Sequence, residues 1–418
     1  MSESETKREI RSEFIKNKIG FVPPEEWKVY KLGELTEINS NTLGTKTSPD
    51  QRINYIDLGS VNTGTIDLPA EEFIFEDAPS RARRVISSGD ILMSTVRPNL
   101  KGFARADYKT DGYVCSTGFA VLSTKSKVDS KLIYQSLFTE SFERQFYQLL
   151  VGSSYPAINN SDVEKLFLAI PNDIEERKSI VEVLSTWDEA ISKTEKLINV
   201  KKRYKKGLIQ RLLSGKVRFT EFEGEDWVEV KLKKFFKPFS DKNKDNEDLP
   251  ILSCSKVHGI TLQSNIFDKR IASKDIKRYK VIERDDLIYD PMLLWDASIG
   301  FLKEVDRGVI SPAYNTFKFK EKSGYRPFFE HLFDTHYMRY NYKAISQGTN
   351  RRRRKAPAEA FLKIDVRVPK SVEEQRKIAT VMEMLQSEIE LLKEEVALYQ
   401  KQKRGLMQSL LTGKIRVI

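Results

Sequence analysis

Five consecutive cations, Arg351, Arg352, Arg353, Arg354 and Lys355, form the densest cluster of charge in the chain. Side by side they repel one another unless a polyanion neutralises them, so the run points to phosphate. A solvated loop is the other reading of such a run. The segment that carries it, GTNRRRRKAPAE at 348–359, has a counterpart in GSSYPAINNSDVEK at 152–165. There the groups are Ser153, Ser154, Tyr155 and Asn159, hydroxyls and an amide able to hydrogen-bond phosphates and base edges. Arg81, Arg83 and Arg84 in SRARR, Arg97 and Lys101 in TVRPNLKGFAR, and Lys256, Lys277 and Arg278 complete the candidate set. A surface ion pair is the alternative role of each single cation.

No set of residues for bond-making chemistry accompanies them. The chain lacks GxxxxGK[ST] and GxGxxG phosphate cradles. His258, His331 and His336 are too few and wrongly spaced for a zinc site. His331 and His336, five apart on one expected helix, do not share a face. Pro49-Asp50 with Asp107-x-Lys109 has the outline of a metal-dependent nuclease core, at a length that chance supplies. Tyr289-Asp290-Pro291-Met292 approximates an amino-methyltransferase tetrapeptide but lacks its second proline and aromatic. Cys115 and Cys254 are no disulfide framework and fit a reducing cytoplasm. The reading is a chain with no catalytic site, no metal site and no cofactor of its own.

The elements that must position the cations occur twice. IPNDIEERKSI at 170–180 returns as VPKSVEEQRKI at 368–378, and LIQRLLSGKVR at 208–218 as LMQSLLTGKIR at 406–416, both displaced by 198. Trp27 in EEWKVYKLGEL matches Trp227 in EDWVEVKLKKF, displaced by 200. NYIDLGSV at 54–61 lies over PILSCSKV at 250–257, and VISSGDIL at 85–92 over VIERDDLI at 281–288, both displaced by 196. Five collinear matches with small insertions describe one fold used twice.

The better-matched segments carry a sustained heptad seam. In the first copy it runs through Ile180, Leu184, Trp187, Ile191, Ile198, Leu208 and Leu212, with Lys201 and Lys205 interrupting it. In the second it runs through Ile378, Met382, Leu385, Ile389, Leu392, Val396, Leu406 and Leu410. Asp173 and Ser371 stand as N-caps ahead of paired glutamates, and Gly215 and Gly413 sit where a left-handed C-cap ends a helix. Each helix is expected to span about 40 residues, or about 60 Å. Two such seams in one chain bury each other as an intramolecular antiparallel pair, or each pairs with another molecule. The basic run NVKKRYKK is either a solvated stretch or a phosphate- or partner-facing patch.

Between the seams lie mixed segments, INYIDLGSV, GDILMSTV, YVCSTGFAVLS and VISPAYNTFKFK, that read as short strands. One amphipathic helix closes each domain, KLIYQSLFTESFERQFYQLL and YRPFFEHLFDTHYMRYNYKAI. The expected organisation is an extension at 1–20, helical and packed near the C-terminal helix, then a domain at 21–170 and a helix at 171–218. A second domain follows at 219–368 and a second helix at 369–418. The fold class is α+β: two similar mixed domains joined by two long antiparallel helices in an intramolecular coiled coil with a pseudo-two-fold repeat.

Composition agrees. With 418 residues, 39% hydrophobic and 31% charged, the chain suits two globular domains plus something elongated. No run of about 18 apolar residues suits a membrane, and MSESETKREIRSEF lacks the apolar core of a signal peptide. A net charge of +11 and a pI near 9.2 favour a polyanionic partner.

These features together resemble the DNA-specificity (S) subunits of Type I restriction–modification systems. The resemblance rests on the W-x-x-x-x-L start of each half, YIDLGSVN, SGDILMSTVRP, CSTGFAVL and ISPAYNTFK. It rests also on IP/VP-x-x-x-EE-x-x-x-I before each long helix and LL-[ST]-GK-[VI]-R after it. It covers 21–418; where the family commonly has PPL before the acidic pair, this chain has PNDI and PKSV. The resemblance implies two target recognition domains, each reading one half of a split double-stranded DNA sequence, with the helix pair as the ruler for the gap. It also implies docking of two methylation subunits and of restriction subunits. S-adenosylmethionine would then bind on the methylation subunits, and ATP and Mg on the restriction subunits. A coiled-coil scaffold without a DNA role and a self-sufficient nuclease or methylase are the alternatives.

Replacing Arg351 to Arg354 by neutral residues separates a reader from a scaffold. DNA affinity should fall, and the slope of log K against log[salt] should lessen by about 0.9 for each arginine that sits on a phosphate. Binding unchanged across a salt titration would favour the scaffold.

Overall fold

In the computed structural model, residues 12–152, 155–256, 258–267, 272–273, 275–348 and 354–417 are described. The heptad seams become two long helices, Ile174–Leu213 of 40 residues and Val372–Leu410 of 39. Every seam position named above is buried or half-buried, whereas Leu197, Val200, Tyr204, Met384, Leu391 and Leu398, off the seam, are exposed. Asp173 caps the first helix by accepting from the Glu175 N–H at 3.0 Å. Ser371 accepts from the Glu374 N–H at 3.4 Å. At the other ends Gly215 and Gly413 adopt φ of +70° and +72°. A side chain at Gly215 would also meet the Trp227 ring at 3.4 Å.

Contacts gather the chain into two units that cut across sequence order: Met1–Glu195 with Glu394–Ile418, and Lys196–Lys393. Each unit therefore holds one domain, the start of the helix that follows it, and the end of the helix from the other copy of the repeat.

In the first unit, strand Trp27–Lys31 pairs antiparallel with Phe167–Pro171, Trp27 opposite Pro171. The domain's first and last strands are thus clamped beside the helix they lead into. A four-stranded sheet orders Glu37–Ile38, Phe119–Ser123, Ile91–Ser94 and Phe103–Arg105. A second orders Glu72–Ile74, Arg52–Ile56, Val114–Ser116 and Ala82–Val85. The core joins Ile91, Phe103 and Phe146 to Ile180 and Leu184 of one long helix and to Met407 and Leu410 of the other. The helices are antiparallel: the Trp187 ring meets Tyr399 edge-on at 5.6 Å, and Lys403 pairs with Asp188 at 2.6 Å. Residues 12–19 are helical; the Ile19 carbonyl accepts from the Ser141 hydroxyl at 2.5 Å.

The second unit repeats the plan. Trp227–Lys231 pairs with Asp365–Pro369, Trp227 opposite Pro369. Its four-stranded sheet orders Phe236–Phe239, Asn315–Phe319, Leu287–Tyr289 and Ile299–Phe301. Leu212, Leu213, Ile378 and Met382 enter the same core as Phe236, Tyr289 and Phe361. Lys201 and Lys205, which interrupt the first seam, reach across to the second helix, to Glu388 at 2.7 Å and Gln386 at 2.5 Å. They neither fray the helix nor turn away from its partner.

One expectation needs correction. The amphipathic run closing each domain is two helices, Lys127–Ser136 with Glu140–Tyr147, and Arg326–Phe333 with His336–Ile345. Thr139 and Thr335 break the runs, because each hydroxyl caps a new helix by accepting from the N–H of Phe142 and Met338. His331 and His336 thus lie on different helices.

One ionic joint locks each unit. Glu374, 1% exposed, receives two hydrogen bonds from Arg218, at 2.9 and 2.6 Å, and one from the Trp227 indole at 3.3 Å. Glu176 receives the same from Arg416, one of them at 2.9 Å, and from Trp27 at 3.3 Å. The second glutamate of each EE pair and the final arginine of each LL-[ST]-GK-[VI]-R are therefore one device. Removing one partner of a buried pair strands the other. Glu374→Ala should cost about 3 kcal/mol in urea denaturation, whereas Glu373→Ala, at a 71% exposed side chain, should cost under about 0.5 kcal/mol. Equal losses would show that the joint contributes nothing special.

Candidate nucleic-acid interface

The polar loops at 95–101 and 151–159 come together in the first unit through backbone pairing. The Arg97 N–H donates to Pro156 O at 2.7 Å, and the Ile158 N–H to Thr95 O at 2.9 Å. The Thr95 N–H and hydroxyl both donate to Gly118 O at 2.8 Å, and the Thr117 N–H donates to Arg81 O at 2.8 Å. Arg81, Arg97 and Tyr155 thus border one group of turns, all exposed. The Arg97 guanidinium lies over the Tyr155 ring, 4.2 Å from its centroid, well inside the range of a cation–π contact. Arg97 and Lys101 both hold left-handed backbone, φ +50° and +54°, a conformation that non-glycine residues keep only where their surroundings impose it. Between them Leu100 is 67% exposed. The Lys101 amine is paired with Glu143 at 2.9 Å, and Asn159 reaches Asp162 at 3.5 Å.

The second unit builds the same place from different side chains. The Ala356 N–H donates to Pro291 O at 2.8 Å, and the Tyr289 hydroxyl to Ala356 O at 3.1 Å. Gln347 and Lys355 exchange backbone hydrogen bonds at 3.1 and 2.8 Å. Arg354 lies 5.7 Å from the Trp295 ring centroid. Lys256 pairs with Asp296 of the same loop at 2.7 Å. Ala297 has the left-handed φ, +64°, that Lys101 has in the first unit. Burial raises the Asp290 carboxyl above its ordinary range against the opposing Met292 and Leu293 amides.

Other predicted residues sit elsewhere. Arg83 and Arg84 belong to strand Ala82–Val85. The Arg83 guanidinium stacks on Phe75 at 4.6 Å, and Arg84 donates to Thr42 Oγ1 at 3.0 Å. Lys277 and Arg278 are exposed just before strand Lys280–Glu283. Ser153, Ser154, Arg351, Arg352 and Arg353 lie outside the described residues.

Sequence reasoning missed Trp295, Met292 and Leu293. It weighed Tyr289-Asp290-Pro291-Met292 only against a methyltransferase tetrapeptide, which the segment does not complete, whereas the displacement of 196, carried ten residues past Leu92, lays PMLLWDAS on TVRPNLKG. The structure bears that alignment out: the short turns Pro98–Leu100 and Leu294–Asp296 coincide in it. Burial pushes both cysteine thiols up, Cys254 to about 12, and pushes His331 down to about 4, so none is poised for nucleophilic or acid–base work near neutrality. Among the described residues no group of three or more His, Cys, Asp or Glu could hold a metal, and no helix is long and apolar enough to cross a membrane.

Residues 24–202 match the family model for the Type I restriction modification DNA specificity domain. The chain is 26% identical over 435 residues to the putative type I restriction enzyme MjaX specificity subunit of Methanocaldococcus jannaschii, covering 97% of both. The fold is similar to that of the HsdS subunit from Thermoanaerobacter tengcongensis, with TM-score 0.52, 20% identity and coverage of 96% and 100%. It is also similar to a chain from a study of complex assembly and conformational transition of the type I R-M system, with TM-score 0.58, 19% identity and coverage of 94% and 99%. The first half thus matches the model of a Type I restriction modification DNA specificity domain, the second half repeats its closing strand pair, and the chain is similar from end to end to a putative type I restriction enzyme specificity subunit.

Proposed function

We propose that the chain is the sequence-reading subunit of a Type I restriction–modification complex. Each unit reads one half of a split double-stranded DNA target, and the two long helices set the unspecified gap between the halves. The observation that carries this reading is the duplication. Two domains share strand plan and closing register, each is locked by the same Trp–Glu–Arg joint, and each offers a cation and an aromatic ring on paired loops. Two equivalent readers joined by helices of set length would contact two half-sequences a set number of base pairs apart. The excess of +11 charges supplies attraction to phosphate that is independent of sequence.

In this role the chain recognises and assembles, and the chemistry belongs to its partners in the cytoplasm. Two methylation subunits dock, one per half, and restriction subunits join them. S-adenosylmethionine is bound by the former, ATP and Mg by the latter. Purified chain given DNA, Mg²⁺ and S-adenosylmethionine should yield neither cut nor methylated product; either product would make it an enzyme in its own right.

Helix geometry gives the sharper test. Seven residues added to each long helix keep the seams in register and lengthen each by about 10 Å. At about 3.4 Å per base pair the preferred gap should grow by about three base pairs, with both half-sequences kept. A gap that stays fixed, or half-sequences that change, would contradict the ruler.

A further inference from the structure

Two loops meet in each unit through a cation stacked on an aromatic ring, and the partners are exchanged. In the first unit the cation, Arg97, follows strand Ile91–Ser94, and the ring, Tyr155, precedes the closing strand. In the second the ring, Trp295, follows strand Leu287–Tyr289, and the cation, Arg354, precedes the closing strand. The pair is kept while each member changes loop, so the contact between the loops, rather than the reach of either side chain, is what the two sites share. Each pair borders a loop that ends in left-handed, non-glycine backbone, at Lys101 and Ala297. Such backbone needs outside support to persist. Besides the exposed Arg97, the loops hold apolar side chains toward solvent: Leu100 is 67% exposed in one, and Met292 and Leu293 are 49% and 44% exposed in the other. Isolated exposed apolar side chains at the tip of a backbone held this firmly suit contact with base edges, above all the thymine methyl group.

We propose that Arg97–Tyr155 and Trp295–Arg354 are loop locks, positioning pairs that hold the apolar tips Leu100 and Met292–Leu293 against the bases and thereby set the selectivity of each half-site. The inference rests on the DNA-reading function above and assigns to positioning two arginines that the sequence alone presents as phosphate or base contacts. A lock differs measurably from either. Losing a phosphate contact weakens binding to all sequences alike and lessens the salt slope by about 0.9. Losing a base reader relaxes one position. Losing a lock relaxes several positions of one half-site and leaves the salt slope alone when no charge is removed.

The test uses the full chain assembled with its methylation subunits and DNA pools in which one half-sequence at a time is randomised. Tyr155 is 68% exposed, so Tyr155→Ala leaves the core intact. It should lower selectivity for the first half-site about 10-fold across several positions, with the second half-site and the salt slope unchanged, and Tyr155→Phe should restore selectivity. Trp295→Ala should mirror this at the second half-site, with rescue by Trp295→Tyr. Selectivity that survives Tyr155→Ala and Trp295→Ala would overturn the locks, as would a uniform loss of affinity. Arg97→Gln that lessens the salt slope while selectivity is kept would make Arg97 a phosphate contact and overturn its lock. A native complex that selects neither half-sequence would instead contradict the DNA-reading function itself.

Discussion

A carboxylate buried at the start of each long helix organises everything else in this protein. Glu176 and Glu374 are 3% and 1% exposed, and a bare carboxylate so placed would be costly. Each is met by both arms of a guanidinium and by a tryptophan indole. The three partners come from three parts of the chain: the first strand of a domain, the first turn of the helix after it, and the tail of the other long helix. In the second unit Glu374 and Arg218 are 156 residues apart, and in the first Glu176 and Arg416 are 240 apart. The joint is thus satisfied only when distant segments arrive together.

That constraint explains why the repeat is exchanged rather than tandem. A domain with only its own helix would leave its glutamate unpaired and the apolar ends of the seam, Leu212 and Leu213 or Leu410 and Leu411, without a core. Taking the tail of the other helix supplies both the arginine and those leucines. The glycines at 215 and 413 belong to the same device. Their left-handed backbone ends the helix, the chain turns back, and the arginine three residues later reaches the glutamate.

The long helices were legible in the sequence because their signals are local and repeated. Seam positions, acidic first turns and glycine ends all lie within one element and occur twice. The strand plan was legible in outline for the same reason. What escaped was set by contacts across the chain. The threonines at 139 and 335 divide what reads as a single amphipathic run, since a cap inside an apolar periodicity looks like any polar-face residue. The paired glutamates read only as companions of the N-caps Asp173 and Ser371, and nothing local marks the second of each pair as the buried one. Arg83 and Arg84 looked like loop cations until the strand at Ala82–Val85 turned them toward Phe75 and Thr42. Trp295 was hidden by its lack of likeness to anything at 95–101, although the displacement that aligned the preceding strands already reached it.

The central claim is that two equivalent readers on one chain recognise one divided DNA sequence. Sequencing methylated positions genome-wide, in cells that carry the methylation subunits with and without this chain, tests it most directly. The account predicts one motif of two specified halves around an unspecified gap of constant length, methylated only when the chain is present. An undivided motif, or methylation unaltered by loss of the chain, would contradict it.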